Sequence, residues 1–312
     1  MHKRLALTLA ALWLSLSETS AQYDPAYAHY WTMETSFNPA ATGKEKKINA
    51  TAAYNNTLTG FENNPRTMYA SADLPLYAIG AYHGVGALFQ NDQIGLFKHT
   101  KMALQYSYKH KLFGGMLSIG AQIGMLSEKF DGTKVDTDTP DDPAFPSTEV
   151  SGSAMDLGAG IYYVRGRLYA GVSAQHLNAP TVELGERSNF KIDPTYYFTA
   201  GYNIKLKNPF ISIQPSALVQ YNGDELRADI TAIARYTHDK KMLYGGVGCS
   251  PTNSVTVYVG GNFHGIRLGY SYEIYTSAIS MGNGSHEICV GYQTDINIGK
   301  KGRNLHKSVR LL

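Results

Sequence analysis

The feature that most constrains this chain is an apolar/polar alternation with a period of two, repeated along most of its length. It is plainest between Gly265 and Ile298. In the first arm Ile266, Leu268, Tyr270, Tyr272 and Ile274 fall on one face, and Arg267, Gly269, Ser271, Glu273 and Tyr275 on the other. The second arm sets Ile288, Val290, Tyr292, Ile296 and Ile298 against Glu287, Cys289, Gly291, Gln293, Asp295 and Asn297. Successive side chains change faces in a strand but not in a helix, so each arm reads as a strand. Its apolar face needs a cover, which is either a second sheet or lipid.

The N-terminus bears on that choice. MHKRLALTLAALWLSLSETSAQ has a positive start at Lys3 and Arg4, an apolar run from Leu5 to Leu16, and small residues at Thr19-Ser20-Ala21. This pattern predicts a cleaved secretory signal peptide over residues 1–21, cut before Gln22. The run is too short to cross about 30 Å of hydrocarbon. No Cys follows the cut, which argues against a lipoprotein anchor. No later stretch approaches the roughly 18 apolar residues of a spanning helix. An exported chain of this kind is soluble, secreted or inserted by its strands. The 23 Tyr and 31 Gly, with only 17% charged residues, lean towards insertion. A tyrosine carries an apolar ring for the membrane interface and a polar tip for a wet lumen. A net charge of +3, with no aromatic-interleaved basic patch, gives no reason to expect nucleic acid.

Residues Gln22 to Lys47 show no period, and Asp24-Pro25, Asn38-Pro39 and Gly43 supply turn chemistry there. This predicts an ordered N-terminal periplasmic or plug segment outside the sheet. From Ile48 the strands are expected near 48–58, 67–77, 80–91, 98–112, 115–128, 153–165, 167–178, 193–206, 209–221, 225–238, 241–250, 254–263, 266–276 and 285–298. Pro75 and Pro215 weaken two of them locally. Tight links (Leu112-Phe113-Gly114, Arg165-Gly166, His264-Gly265) alternate with long ones (Lys129 to Ser151, Ala179 to Ile192, Ser277 to Gly284). An even count and alternating links predict an all-β fold: a transmembrane antiparallel up-and-down β-barrel of about 14 strands over 48–299. The basic tail, 300–312, reads as a frayed terminus or a periplasmic docking peptide.

Chemistry-bearing residues are sparse. Asp136, Asp138, Asp141 and Asp142 crowd one loop but lack the Gly and Glu of an EF-hand loop, so a solvated acidic loop is expected. Histidines 29, 83, 99, 110, 176, 238, 264 and 286 lie in different segments with no paired ligand spacing. Nothing selects Asp156, His83 and His99 as a catalytic set, and no cofactor or metal is expected. Cys249 falls on an apolar face and Cys289 on a polar one, which predicts two free, buried thiols. Arg167, Arg227, Asp229, Arg235, Arg267, Glu273, Glu287 and Asp295 fall opposite the apolar face. About 14 strands enclose a lumen too wide for side chains alone. Those charges then either solvate a pore or grip a plug.

DPAYAHY (Asp24 to Tyr30), NPAATG (Asn38 to Gly43), PRTMYASADLPL (Pro65 to Leu76) and GVGALFQND (Gly84 to Asp92) occur in this order. YAGVSAQHLNAP (Tyr169 to Pro180), LGYSYEIYTS (Leu268 to Ser277) and GSHEICVGY (Gly284 to Tyr292) follow. Together they resemble the PorP/SprF family of outer-membrane proteins associated with type IX secretion and gliding motility. Glu273 stands where the family often has Asp after Tyr-x-Tyr, and the basic tail departs from the family pattern. The resemblance implies a non-enzymatic barrel in the outer membrane of a Gram-negative bacterium. Its implied role is to anchor or assist type IX protein secretion by protein–protein contact. Its implied partners are a periplasmic peptidoglycan-binding lipoprotein and the ring lipoproteins of the secretion machine, or the C-terminal domain of a secreted adhesin. The rival reading is an outer-membrane channel for small or hydrophobic molecules. The candidate partner-facing or plug-holding residues are Asp24, Pro25, Tyr30, Asn38, Pro39, Gly43, Arg267, Glu273 and Glu287.

Overall fold

A strand with one apolar and one polar face satisfies both when its sheet closes into a ring, polar side inward, within lipid. That is the architecture of the computed structural model, which describes residues 23–134, 148–185, 188–239, 241–251, 253–276 and 283–296. The predicted signal peptide, the four loop aspartates and the basic tail lie outside the described residues. The first strands are β1 (Lys47–Asn56), β2 (Arg66–Ala78), β3 (Ala81–Ile94), β4 (Phe97–Leu112) and β5 (Gly115–Asp131). They continue with β6 (Glu149–Arg165), β7 (Leu168–Gln175), β8 (Thr181–Leu184), β9 (Ser188–Lys191), β10 (Thr195–Tyr202) and β11 (Ile204–Lys205). The rest are β12 (Ile211–Tyr221), β13 (Leu226–His238), β14 (Lys241–Ser250), β15 (Ser254–Phe263), β16 (Ile266–Tyr275) and β17 (Ser285–Asp295).

Every pairing is antiparallel, each ring strand lying beside its neighbours in sequence. The ring closes where β1 meets β17, from Lys47 opposite Asp295 to Asn56 opposite His286. β10 and the short β11 hold one register against β12, so they act as a single strand interrupted at Asn203. Counted that way the barrel has 14 strands. β8 and β9 form a separate hairpin that the sequence reading did not foresee, inside a link taken to be a loop. Pro75 and Pro215 leave the register intact, opposite Gly84 and Ala232.

One end of the barrel is made of tight turns. Ile79 and Gly80 (φ 50° and 78°), Phe113 and Gly114 (47° and 75°), and His264 and Gly265 (54° and 93°) all sit in the left-handed region. Two successive residues of that kind make the turn whose twist matches the flanking strands. The other end carries the long links, although 95–96 between β3 and β4 is as short as a turn. We refer to the two ends as the turn end and the loop end.

Outside, Leu104, Ile123, Ile161, Val172, Ile230, Val257, Leu268 and Val290 are all exposed. Keeping a side chain of this size in water forgoes about 1.5–3 kcal/mol. At about half exposure these eight alone would then amount to roughly 6–12 kcal/mol, comparable to the whole stability of an ordinary domain. Lipid is the cover that removes this loss. Exposed Tyr108, Tyr202, Tyr236, Phe263 and Tyr292 mark the turn-end border of the apolar band, and Tyr54, Tyr196 and Tyr221 the loop-end border. The outward apolar face also corrects one expectation. Both cysteines are free, but Cys249 is exposed while Cys289 is buried. An apolar strand position faces outward in a barrel, whereas in a sandwich it would face the core. Arg167 and Asp295 are likewise exposed, at strand ends rather than in the lumen.

Candidate functional site

The lumen is filled by the chain's own N-terminal segment, and the two together form the candidate site. Tyr23 lies at the loop end, 5.3 Å from the His99 ring and 5.9 Å from Phe190 of the β8–β9 hairpin. Thr42 lies at the turn end, where its carbonyl oxygen accepts from Ser107 Oγ and Lys109 Nζ, both at 2.8 Å. Residues 23–46 therefore run the length of the barrel. Their path is a series of single 3-10 turns, Tyr30–Thr32, Glu34–Ser36 and Pro39–Ala41.

NPAATG sets the last of these turns. Asn38 Oδ1 accepts from Ala40 N at 2.9 Å, and Pro39 brings a pre-set φ to the first position. Asn38 Nδ2 donates to the Ile161 and Val172 carbonyls of β6 and β7 at 3.2 and 3.4 Å. The small residues let the turn lie flat on the wall. A side chain at Gly120 would overlap the Pro39–Ala40 backbone, and one at Gly160 would overlap Asn38 Oδ1. Gly43 adopts φ 61° and its N–H donates to Asp73 Oδ2 at 2.7 Å.

Single 3-10 turns leave most backbone groups unpaired, and burial makes that expensive unless the wall supplies partners. It does so from nearly every side. Phe37 O accepts from Ser173 Oγ (2.7 Å) and Gln175 Nε2 (2.8 Å), and Thr35 O from Gln105 Nε2 (2.7 Å). Across the lumen, Glu287 takes the Ala28 N–H (2.9 Å), the His29 N–H (2.8 Å) and His29 Nδ1 (2.7 Å). Tyr30 OH bonds Ser216 Oγ on β12 and Thr231 Oγ1 on β13 at 2.9 and 3.0 Å. Aromatic packing completes the seat, with Trp31 edge-on to Tyr258 at 4.9 Å and Phe37 stacked on Tyr197 at 5.6 Å.

Titratable groups concentrate at two points. Towards the loop end His176 places Nδ1 2.8 Å from Asp156 Oδ1 and Nε2 3.2 Å from Asp24, which also accepts from Tyr197 OH at 2.7 Å. Lys101 Nζ adds a bond to Gln175 Oε1 at 3.0 Å and lies 3.5 Å from Asp156 Oδ2. Burial pushes the Asp24 carboxyl up, but His176 and Lys101 outweigh it and hold the group below its ordinary range. Burial likewise opposes the His176 cation, and the Asp24 and Asp156 carboxylates overcome it, so its pKa is raised. Tyr23 OH and His99 share the Glu128 carboxylate nearby. Towards the turn end Glu34 is held by Lys44 and by Tyr162 OH, 3.0 and 3.1 Å from its two oxygens. Beside it a cavity of about 160 Å³ opens to the turn end, lined by Trp31, Gln214, Arg235, Tyr244, Arg267 and Gln293 among others.

The family model for the type IX secretion system membrane protein PorP/SprF matches residues 19–292 of this sequence. The chain belongs to the PorP/SprF family. No curated protein matches it. Among solved structures, this PorP/SprF barrel is similar to the CymD monoaromatic hydrocarbon channel. That match has 10% identity and a TM-score of 0.53, over 91% of this chain and 97% of the channel. The P. putida toluene transporter TodX matches at 7% identity and TM-score 0.48, over 83% of this chain and 93% of its own. A Pseudomonas aeruginosa FadL homologue matches at 10% and 0.46, over 80% and 89%. CymD shares the barrel architecture, and at such identity the likeness goes no further. The family, on a barrel fold, points to the outer membrane and to a non-enzymatic secretion protein.

Of the residues singled out from sequence, Asp24, Tyr30, Asn38, Pro39, Gly43 and Glu287 are buried where segment meets wall, and Pro25 is half-buried beside them. Arg267 lies at the turn-end cavity, its guanidinium 2.8 Å from Thr51 Oγ1. Glu273 stands apart, bonded to Ser254 Oγ and 3.7 Å from the Arg227 guanidinium. Sequence reasoning passed over His29, Glu34, Lys101, Lys109, Asp156 and His176. The one available signal is strand parity, which sets Lys101 and Lys109 opposite Met102, Leu104, Tyr106 and Tyr108. Most of their partners lie 20 or more residues away in sequence, as the spacings of 20 and 152 from His176 to Asp156 and Asp24 illustrate.

Proposed function

We propose that this PorP/SprF protein is a docking barrel of the type IX secretion apparatus. It anchors or assists export through protein–protein contacts and has neither catalytic nor free-diffusion activity. The observation that carries this reading is the filled lumen. The segment from Tyr23 to Gly43 is bonded to inward residues of β2, β3, β4, β6, β7, β10, β12, β13 and β17. A filling held from this many sides blocks steady free diffusion through the lumen and makes the barrel and its segment one rigid surface for a partner. In this reading residues 1–21 are removed on export and the turn end faces the periplasm. A peptidoglycan-binding lipoprotein, a ring lipoprotein of the machine or an adhesin C-terminal domain would meet the barrel through surfaces set by the seated segment.

The alternative, a channel, draws on the shared architecture with CymD. Two measurements separate them. In planar bilayers the intact protein is expected to show no steady open conductance, and deletion of Tyr23 to Gly43 to create one. After mild detergent extraction, secretion-machine proteins are expected to co-purify with the intact barrel and to be lost on that deletion. Steady conductance from the intact protein, with no co-purifying partner, would refute the docking reading.

A further inference from the structure

The turn-end cavity has an excess of positive charge: Lys44, Arg235 and Arg267 line it against Glu34 and Glu45. Among the described residues neither Arg235 nor Arg267 has a carboxylate within salt-bridge distance, and the bond of Arg267 to Thr51 is to a neutral hydroxyl. Glu34 is paired with Lys44 and held by Tyr162, and Glu45 accepts only from the neutral Gln293 Nε2 at 3.2 Å, so two guanidiniums face one unpaired carboxylate. Two buried polar atoms of the cavity wall, Gln214 Oε1 on β12 and Arg235 Nε on β13, have no hydrogen-bond partner among the described residues. Buried polar atoms are ordinarily paired, so these two leave hydrogen-bonding capacity that water or a bound group can use.

The rim extends the same sign of charge. Lys46, Lys111, Arg165, Arg167, Lys205 and Lys207 are all exposed at the turn end, against Glu45, Asp239 and Asp295. A positive cavity inside a positive rim focuses field lines into the mouth and draws anions towards it. A guanidinium pair is suited to a carboxylate, which it can hold with two parallel N–H bonds. The cavity, at about 160 Å³, takes one acidic side chain or chain end, and the rim continues the attraction beyond what a single small anion can use.

We propose that the turn-end mouth is a carboxylate-binding site that docks an acidic peptide segment of the protein's partner. Arg235 and Arg267 grip one carboxylate, and the rim lysines and arginines steer the rest of the segment. This rests on the reading of the chain as a docking barrel and adds the chemistry of the contact.

The test uses the full-length barrel in detergent micelles and a fluorophore-labelled hexaglutamate peptide, with inorganic phosphate as competitor. Hexaglutamate is expected to bind with an affinity that falls as salt rises, and phosphate to compete poorly. Combining Arg235→Gln with Arg267→Gln is expected to weaken peptide binding by about tenfold or more, while heat-modifiable gel migration reports an intact barrel. Lys205→Gln with Lys207→Gln should chiefly slow association. Absence of hexaglutamate binding, binding unchanged by the double arginine variant, or phosphate binding as tightly as the peptide would each overturn the proposal. In cells the same arginine variant separates the two levels. Partners retained by a variant that has lost peptide binding would overturn the carboxylate site and leave the docking function standing. Partners absent from the unaltered barrel would overturn the docking function itself.

Discussion

Glu287→Ala should unseat the N-terminal segment without opening the barrel. The carboxylate is only 2% exposed and is the acceptor for two backbone N–H groups and one imidazole nitrogen of Ala28 and His29. Alanine leaves all three without a partner, and a buried unpaired donor costs about 1–3 kcal/mol. The vacated space admits some water, so the total is expected at about 3–5 kcal/mol rather than the full sum. Glu287→Gln keeps one oxygen but turns an NH2 towards the remaining donors, and should cost about 1–2 kcal/mol. The ring pairs β17 with β1 and β16 through backbone groups, which neither substitution touches. The chain has two tryptophans, Trp13 and Trp31, so protein prepared without residues 1–21 carries Trp31 alone, 7% exposed in the seat. Its emission then reports seating, while heat-modifiable gel migration reports the ring. With a urea dependence of about 1–3 kcal/mol per molar, Glu287→Ala should lower the Trp31 midpoint by roughly 1–5 M and leave the ring transition in place. Equal shifts of both transitions, or a Trp31 midpoint no lower for alanine than for glutamine, would refute the reasoning.

Other perturbations address separate contacts. Gly120→Val drives a branched side chain into the Pro39–Ala40 backbone, and Trp31 emission should be red-shifted even without urea. His176 has a raised pKa in the fold, so its contribution to seating is complete below about pH 6.5 and is lost as pH rises through the raised value. The Trp31 urea midpoint should therefore decline on going alkaline from about pH 6.5, and His176→Gln should flatten that decline. A lipid-soluble maleimide should label one thiol per folded chain, Cys249 on the outer face, and reach Cys289 only after denaturation, as mass spectrometry of the labelled peptides would show.

Much of the barrel was legible because strand geometry is local. A period of two is visible in a single run such as Leu117 to Met125, and turn pairs such as Phe113-Gly114 and His264-Gly265 announce the tight end. The hairpin of β8 and β9 escaped because its four-residue strands are too short to show a period. The site was legible only as motifs. DPAYAHY and NPAATG stood out as aperiodic and rich in turn residues, and the wall residues that receive them did not. Gln105, Ser173 and Gln175 look like ordinary lumen solvation until the carbonyls of Thr35 and Phe37 are set against them.

By itself the sequence determined which face of each strand is apolar, that the strands are even in number, and that a stretch without period precedes them. Those are properties of neighbouring residues. Only the tertiary structure decided that this stretch runs up the lumen, that Asp24 meets His176 and Ala28 meets Glu287 across 152 and 259 residues, and that Cys249 looks outward. The physical reason is closure. Until β1 pairs with β17 there is no inside, and the polar faces have nothing to hold. Once the ring exists, a single 3-10 path with unpaired backbone groups becomes the partner its inward side chains can satisfy. Two arginines at the turn end are left over.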